Sequence, residues 1–235
     1  MRKPRVCAII AAGGAGTRMK VKGGKQFMLL CGKPVLLWTI EKFEAAPAVS
    51  DIVLVVAPEK FKDANDLVRR TKLKKVRKIV RGGKRRQDSV ANALAEINFS
   101  CDVVLVHDGA RPLVSKNEIN AVIKGAQKFG ACLTAIPVKD TLKIVRNGKV
   151  AGSPDRRMYF SAQTPQGFSF NLLKSAYSRA AREKIEATDD GMLVERMGQP
   201  VQIVPGSCYN LKITTPEDRI YAEVVMGREQ NVVDI

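Results

Sequence analysis

VCAIIAAGGAGTRMKVKGGKQ, residues 6–26, runs from an apolar, β-type stretch into a glycine-rich turn that delivers Arg18 and, seven residues later, Lys25. Glycines at 13, 14 and 16 permit positive φ and let backbone N–H groups approach an anion closely. The two cations can neutralise charge on a transferring phosphate. A strand-to-loop turn could need glycine for geometry alone, but Arg18 and Lys25 flank this one with no acid nearby. The segment therefore reads as a strand leading into a phosphate site.

Two common glycine-loop motifs fail here. The G-x-x-x-x-G-K-[ST] loop of ATPases and GTPases would need glycine at 19 for the Gly24-Lys25 pair, where Met19 stands, and Gln26 follows the lysine. A dinucleotide fingerprint from Gly14 and Gly16 would need a small residue at the same position 19. Nicotinamide-dependent redox chemistry is disfavoured.

Beyond this segment, short apolar runs at 6–12, 51–57, 76–82, 101–108, 131–138 and 201–206 alternate with helical spacing. The helical patterns fall at 34–45, 60–73, 87–97, 116–129, 171–184, 188–197 and 216–226. Strands apolar on both faces and separated by helices predict a three-layer α/β fold, a mostly parallel sheet with helices on both sides. Ligands then gather at the carboxyl ends of the strands. Residues 137–168 interrupt the alternation, and Asn147-Gly148 between LKIV and KVAG predicts a β-hairpin, a projecting arm over 139–157 on an otherwise single domain spanning 1–235.

The chain of 235 residues is 45% hydrophobic, enough for one well-filled core, and no apolar run approaches a membrane span. With no signal-like N-terminus, a cytoplasmic location is expected. Five cysteines without a C-x-x-C pair read as reduced packing residues. Net charge is +17, concentrated in RRTKLKKVRKIVRGGKRR (69–86), which contains no acid. Interleaved aromatics for base stacking are missing, so the segment reads as a solvated helix face that attracts anionic substrates, and a nucleic-acid module is the less favoured reading.

Asp108 follows the apolar strand VVLVH and precedes Gly109, which places its carboxylate at a strand end beside the glycine loop, where it can hold Mg²⁺. His107, the chain's single histidine, lies within that apolar run and reads as packing. No nucleophile-histidine-acid arrangement assembles around it. A phosphate-monoester nucleophile, largely dianionic at neutral pH, needs no general base and could attack the α-phosphate of a nucleoside triphosphate. Charge neutralisation by Arg18, Lys25 and a metal would then carry catalysis.

The strings AAGGAGTRM (11–19), KQF (25–27) and GKPVL (32–36) resemble the nucleotidyltransferases that activate phosphorylated sugars and polyols, with their Rossmann-like fold. GGKRRQDSV (82–90), HDGARP (107–112), PVKDT (137–141), TPQGF (164–168), ATDD (187–190) and NLKITTPED (210–218) narrow the resemblance to the cytidylyltransferases of 2-C-methyl-D-erythritol 4-phosphate. That resemblance implies CTP and a polyol phosphate as substrates, Mg²⁺ as cofactor, and a homodimer with exchanged arms. It implies catalytic roles for Arg18, Lys25, Arg156 and Lys212, with Arg156 entering the partner's site. It implies nucleotide binding by Ala12, Gly13, Gly14, Gly16, Gly83 and Ser89, substrate contacts by Gly109, Arg111, Thr141 and Thr164, and Asp108 as the metal-associated acid. Lys212 is expected on a strand, with Leu211 and Ile213 on the opposite face, and Asp189 as a helix cap. Gly13 stands where that family more often has alanine, and Lys84 where an acid is frequent. The first departure keeps ribitol-5-phosphate cytidylyl transfer, or another sugar-phosphate nucleotidyl transfer, as the alternative.

Overall fold

The computed structural model describes residues 3–14 and 25–233. In chain order the elements are β1 (Val6–Ala12), β2 (Leu29–Leu30), β3 (Lys33–Pro34), α1 (Val35–Glu44), β4 (Asp51–Val56), α2 (Phe61–Thr71), β5 (Val76–Arg81), α3 (Arg86–Ala95), β6 (Val103–Asp108) and α4 (Lys116–Phe129). They continue as β7 (Ala131–Pro137), β8 (Ile144–Arg146), β9 (Lys149–Gly152), β10 (Phe160–Ser169), α5 (Phe170–Glu183), α6 (Asp190–Glu195), β11 (Gln202–Pro205) and α7 (Pro216–Val233). Seven strands form one sheet in the order β11-β7-β10-β6-β1-β4-β5. All neighbours are parallel except β10, which runs antiparallel to both β6 and β7.

The alternation of side chains along a strand divides the core into two layers. Val6, Ala8, Ile10 and Ala12 of β1 pack with Leu36, Ile40 and Phe43 of α1, Ala64 of α2, and Ile119 and Val122 of α4. Cys7 and Ile9 face the other way, onto Val90 and Leu94 of α3, Leu173 and Tyr177 of α5, and Leu193 of α6. Central strands apolar on both faces therefore have helices on both faces, as the sequence pattern predicts. Large side chains such as Phe43 and Phe168 are fully buried; truncating either to alanine costs on the order of 3–5 kcal/mol.

Three sequence expectations need correction. The 137–168 interruption contains a ten-residue strand, β10, inserted between β6 and β7. Its register with β7 slips between Ala162 and Gln166, and the bulge holds Thr164 and Pro165; a proline and a slipped register conceal the period-two pattern. The basic segment 69–86 is not one helix face: it spans the end of α2, edge strand β5 and the entry to α3. Many of its cations are engaged, Arg69 with Asp66, Arg77 with Asp51, Lys78 with Glu96, and Arg85 with Asp88 and Glu186. Charge along an outer strand also discourages edge-to-edge pairing. Finally, Cys31 and Cys208 are exposed instead of packed, while Cys7 and Cys132 are buried and all five thiols are free.

Residues Ile144–Arg146 and Lys149–Gly152 form a separate two-stranded antiparallel ladder. Asn147 and Gly148 turn between them with φ of 49° and 74°, the left-handed pair that a tight hairpin requires. Ile144, Val145 and Val150 are exposed on it, as are Met158, Tyr159 and Phe160 just beyond.

Candidate active site

The sheet reverses its winding at β1: the chain crosses from β1 to β4 on one side, and later from β5 to β6 on the other. The carboxyl ends of β1 and β6 meet there, with Ala11 paired to Asp108 and the Gly109 N–H donating to the Ala11 carbonyl at 2.9 Å. A cleft of about 320 Å³ opens at this edge. Ala11, Gly13 and Gly14 form one wall, Gly83 to Arg86 with Ser89 another, and Gln26, Asp108 and Lys212 border it as well. This is where an open α/β sheet places its ligand.

Asp108 concentrates the electrostatics. Its Oδ1 meets Arg86 Nε at 3.1 Å; its Oδ2 meets Lys212 Nζ at 2.8 Å and Arg111 Nε at 3.6 Å. Burial alone would raise the Asp108 carboxyl, but Arg86, Lys212 and Arg111 outweigh it and hold the group well below the usual carboxylate range. Three cations thus converge on one carboxylate at the cleft. Arg86 is pulled down by burial, yet Asp190 and Asp108 more than compensate and raise it. Its Nη2 lies 2.8 Å from Asp190 Oδ2.

Beneath Asp108 runs a chain of neutral hydrogen bonds. The Asp108 N–H donates to Thr164 Oγ1 at 3.0 Å, and Thr164 Oγ1 lies 3.1 Å from His107 Nδ1. His107 Nε2 lies 3.1 Å from the Arg111 carbonyl, which can only accept, so Nε2 carries the proton and Nδ1 accepts from Thr164. Burial pulls His107 down to about 3, leaving the ring neutral, and it tilts against Phe43 with centroids 4.8 Å apart. The histidine is a packing and orienting group, as the sequence suggests.

At the start of α3, Ser89 Oγ accepts from the Gly83 N–H at 3.1 Å and donates to the Arg85 carbonyl at 3.0 Å. The Ser89 hydroxyl thus shapes the loop that leads into α3. A Cβ on Gly83 would lie 2.4 Å from Asp88 Cβ, so only glycine fits. Across the cleft, Gln26 Nε2 donates to the Gly14 carbonyl at 3.1 Å.

The expected residues divide accordingly. Gly13, Gly14, Gly83, Ser89, Asp108 and Lys212 line the cleft, and Ala12 is buried at its base. Lys212 sits in an irregular segment, not on a strand, anchored where the Ile213 N–H donates to the Ala110 carbonyl. Gly109, Arg111 and Thr164 support Asp108 from behind; Arg111 Nη1 donates to the Asn210 carbonyl at 2.6 Å. Arg156 and Thr141 are exposed and do not border this cleft, and Arg156 Nη1 donates to the Lys139 carbonyl at 2.5 Å. Arg157 is occupied by Asp155. Arg18 and Gly16 lie outside the described residues, as does the side chain of Lys25, whose backbone belongs to a short 3₁₀ turn, Lys25–Phe27. Asp189 caps α6 by accepting from the Met192 N–H at 2.9 Å.

Sequence reasoning missed several supports. Arg86 was merged with a basic run, and only the fold shows it between two buried carboxylates. Glu118, at N3 of α4, closes a capping box with Ser115 and also accepts from the Ser207 N–H and Asn210 Nδ2, both at 3.1 Å. It thereby straps down the loop that leads to Lys212. The S-x-x-E spacing of 115–118 was a legible signal for the cap, though not for the strap.

Among the described residues, no three His, Cys, Asp or Glu side chains gather as a metal site. Asp108 is the carboxylate that would hold a magnesium ion at the cleft; in this structure its two oxygens meet Arg86, Arg111 and Lys212. No helix among the described residues is long and apolar enough to cross a membrane.

A family model described as IspD, 2-C-methyl-D-erythritol 4-phosphate cytidylyltransferase, matches residues 6–228. The chain is 41% identical to the enzyme of that name from Syntrophus aciditrophicus, covering 97% of this chain and 98% of the other. It is 44% identical to that from Pelotomaculum thermopropionicum, covering 96% of each. The crystal structure of 4-diphosphocytidyl-2C-methyl-D-erythritol synthase from Anaerococcus prevotii superposes with a TM-score of 0.82 at 29% identity, covering 96% of this chain and all of that one. The Thermus thermophilus cytidylyltransferase gives 0.77 at 33%, with 93% and 97% covered.

Proposed function

The chain belongs to the 2-C-methyl-D-erythritol 4-phosphate cytidylyltransferase family, and from that premise we propose how its residues perform the reaction. It transfers the cytidylyl group of CTP to 2-C-methyl-D-erythritol 4-phosphate, giving 4-diphosphocytidyl-2-C-methyl-D-erythritol and pyrophosphate in the non-mevalonate route to isoprenoids. This reading is favoured over ribitol 5-phosphate. The observation that carries the site assignment is Asp108, held among Arg86, Arg111 and Lys212 at the carboxyl edge beside Gly13 and Gly14.

In the proposed mechanism, backbone groups of Ala12 to Gly14 and the Gly83–Ser89 turn hold the nucleotide. An oxygen of the substrate phosphate forms the new bond to the α-phosphorus while the bond from that phosphorus to the bridging oxygen breaks, and pyrophosphate leaves with the electron pair. The nucleophile is already anionic, so no base is required. Arg18 and Lys25 neutralise charge building at the α-phosphate. Lys212, with its ammonium at the cleft, orients the attacking phosphate. Asp108 would hold Mg²⁺ at the cleft, where the ion would supply charge neutralisation for the triphosphate.

Arg156 and Thr141 serve the partner subunit's cleft in a homodimer with exchanged arms. Their distance from the cleft of their own chain, and the exposed Ile144, Val145 and Val150 on the ladder between them, support that reading. The protein acts in the cytoplasm and binds no nucleic acid for its reaction. The test is pyrophosphate release with CTP, Mg²⁺ and methylerythritol phosphate, run beside ribitol 5-phosphate. Release is expected with the first alcohol alone. No release from that full mixture overturns the reading.

A further inference from the structure

Arg86, in the cleft wall at the start of α3, contacts a carboxylate of α6, a helix packed on the same face of the sheet. Asp190, on the first turn of α6, is fully buried and does not border the cleft. Its Oδ1 accepts from the Tyr177 hydroxyl of α5 at 2.5 Å, and its Oδ2 lies 2.8 Å from Arg86 Nη2. Its N–H donates to Gln166 Oε1 at 3.1 Å, which ties this turn to β10. Burial, reinforced by Asp190, raises Tyr177 far beyond the working range, so its hydroxyl stays protonated and available to donate to Asp190. From Asp190 the line continues through Arg86 Nε to Asp108 Oδ1 and from Asp108 Oδ2 to Lys212 Nζ.

A buried carboxylate carries a desolvation penalty of several kcal/mol unless it is well paired. Neutralising Asp108 does not require it, because Lys212 and Arg111 already face Asp108. What Asp190 adds is a second ionic contact, 2.8 Å from Nη2, on a guanidinium whose Nε is already bonded to Asp108. It also leaves three cations against two carboxylates, limiting the positive charge at the cleft.

We infer that Asp190 and Tyr177 are positioning residues: they orient the Arg86 guanidinium, which clamps Asp108 and so sets where Lys212 stands over the cleft. The inference rests on the reading of Asp108 and Lys212 as active-site residues. Released from Asp190, Arg86 would grip the ground-state triphosphate while Asp108 and Lys212 lose their alignment. The signature is a loss in kcat without a rise in the KM for CTP.

Steady-state kinetics on Asp190→Asn, Tyr177→Phe, Arg86→Ala and the Asp190→Asn/Arg86→Ala double variant test it, with thermal melts to establish folding. Asp190→Asn is expected to lower kcat about tenfold or more, with the CTP KM unchanged or lower; Tyr177→Phe should lower it a few-fold in the same manner. In the Arg86→Ala background, Asp190→Asn should cost less than a further twofold, because its effect passes through Arg86. Multiplicative losses in the double variant, or a raised KM with kcat intact, overturn the inference. If Asp190→Asn does not fold, Tyr177→Phe decides on the kcat criterion, and wild-type kcat there overturns it. Asp108→Asn and Lys212→Ala are assayed alongside. Activity retained in both means the site assignment itself is wrong, whereas their inactivity with a multiplicative double variant rejects the positioning role alone.

Discussion

Lys212 illustrates what a single residue does here. Its ammonium, 2.8 Å from Asp108 Oδ2, stands at the cleft, so Lys212→Ala should lower kcat/KM on the order of 10²- to 10³-fold in a pyrophosphate-release assay. An effect below threefold would remove it from the mechanism. His107 gives a pH signature of stability. Its folded value of about 3 lies below the ordinary unfolded value of about 6.5. Its neutral form is thus favoured by folding, and that contribution is complete above pH 6.5 and lost as pH falls from 6.5 toward 3. Denaturant titrations should show the wild-type unfolding free energy dropping between pH 6.5 and 4 more steeply than that of His107→Asn, by up to about 1.4 kcal/mol per pH unit. Parallel curves would mean that the ring is not buried neutral. Asp108, Lys212 and the packing role of His107 were legible from their places in short strings. Arg86 was not, because an arginine within a basic run shows its partners only when distant carboxylates fold against it.

Among the elements, the approach to α3 and the contact of β10 with α4 leave no room for added atoms. An alanine at 83 would push its Cβ to 2.4 Å from Asp88 Cβ. Displacing the first turn of α3 moves the cleft wall, so Gly83→Ala should raise the KM for CTP about tenfold and destabilise by about 1–3 kcal/mol; a wild-type KM would mean that the turn can yield. A methyl at Gly167 would lie 2.5 Å from Val122 Cγ1. Gly167→Ala should therefore destabilise by about 1–3 kcal/mol in equilibrium unfolding, and a neutral result would imply that α4 can yield there. The parallel strands and the long helices were readable because each keeps one period, and some begin at caps such as Thr215 and Asp218 at the start of α7. β10 escaped because its bulge turns Thr164 inward toward Asp108 and breaks the alternation on which strand reading depends.

For the whole molecule, the decisive question is whether one chain or two build the site. If Arg156 serves the partner's cleft, mixing inactive Arg18→Ala and Arg156→Ala subunits under exchange conditions should restore roughly a quarter of wild-type activity, since hybrids would carry one intact site. No recovery with exchange demonstrated would place Arg156 in its own chain's site. The sequence by itself determined the α/β alternation and the family, because periodicity and short motifs are local properties carried in order along the chain. Only the tertiary structure decided that β10 enters the sheet antiparallel, that Arg77, Lys78, Arg85 and Arg86 meet distant carboxylates, and that Tyr177 and Asp190 reach Asp108 through Arg86. Those outcomes depend on which residues far apart in sequence share a low-dielectric interior, where an unpaired charge is too costly to persist.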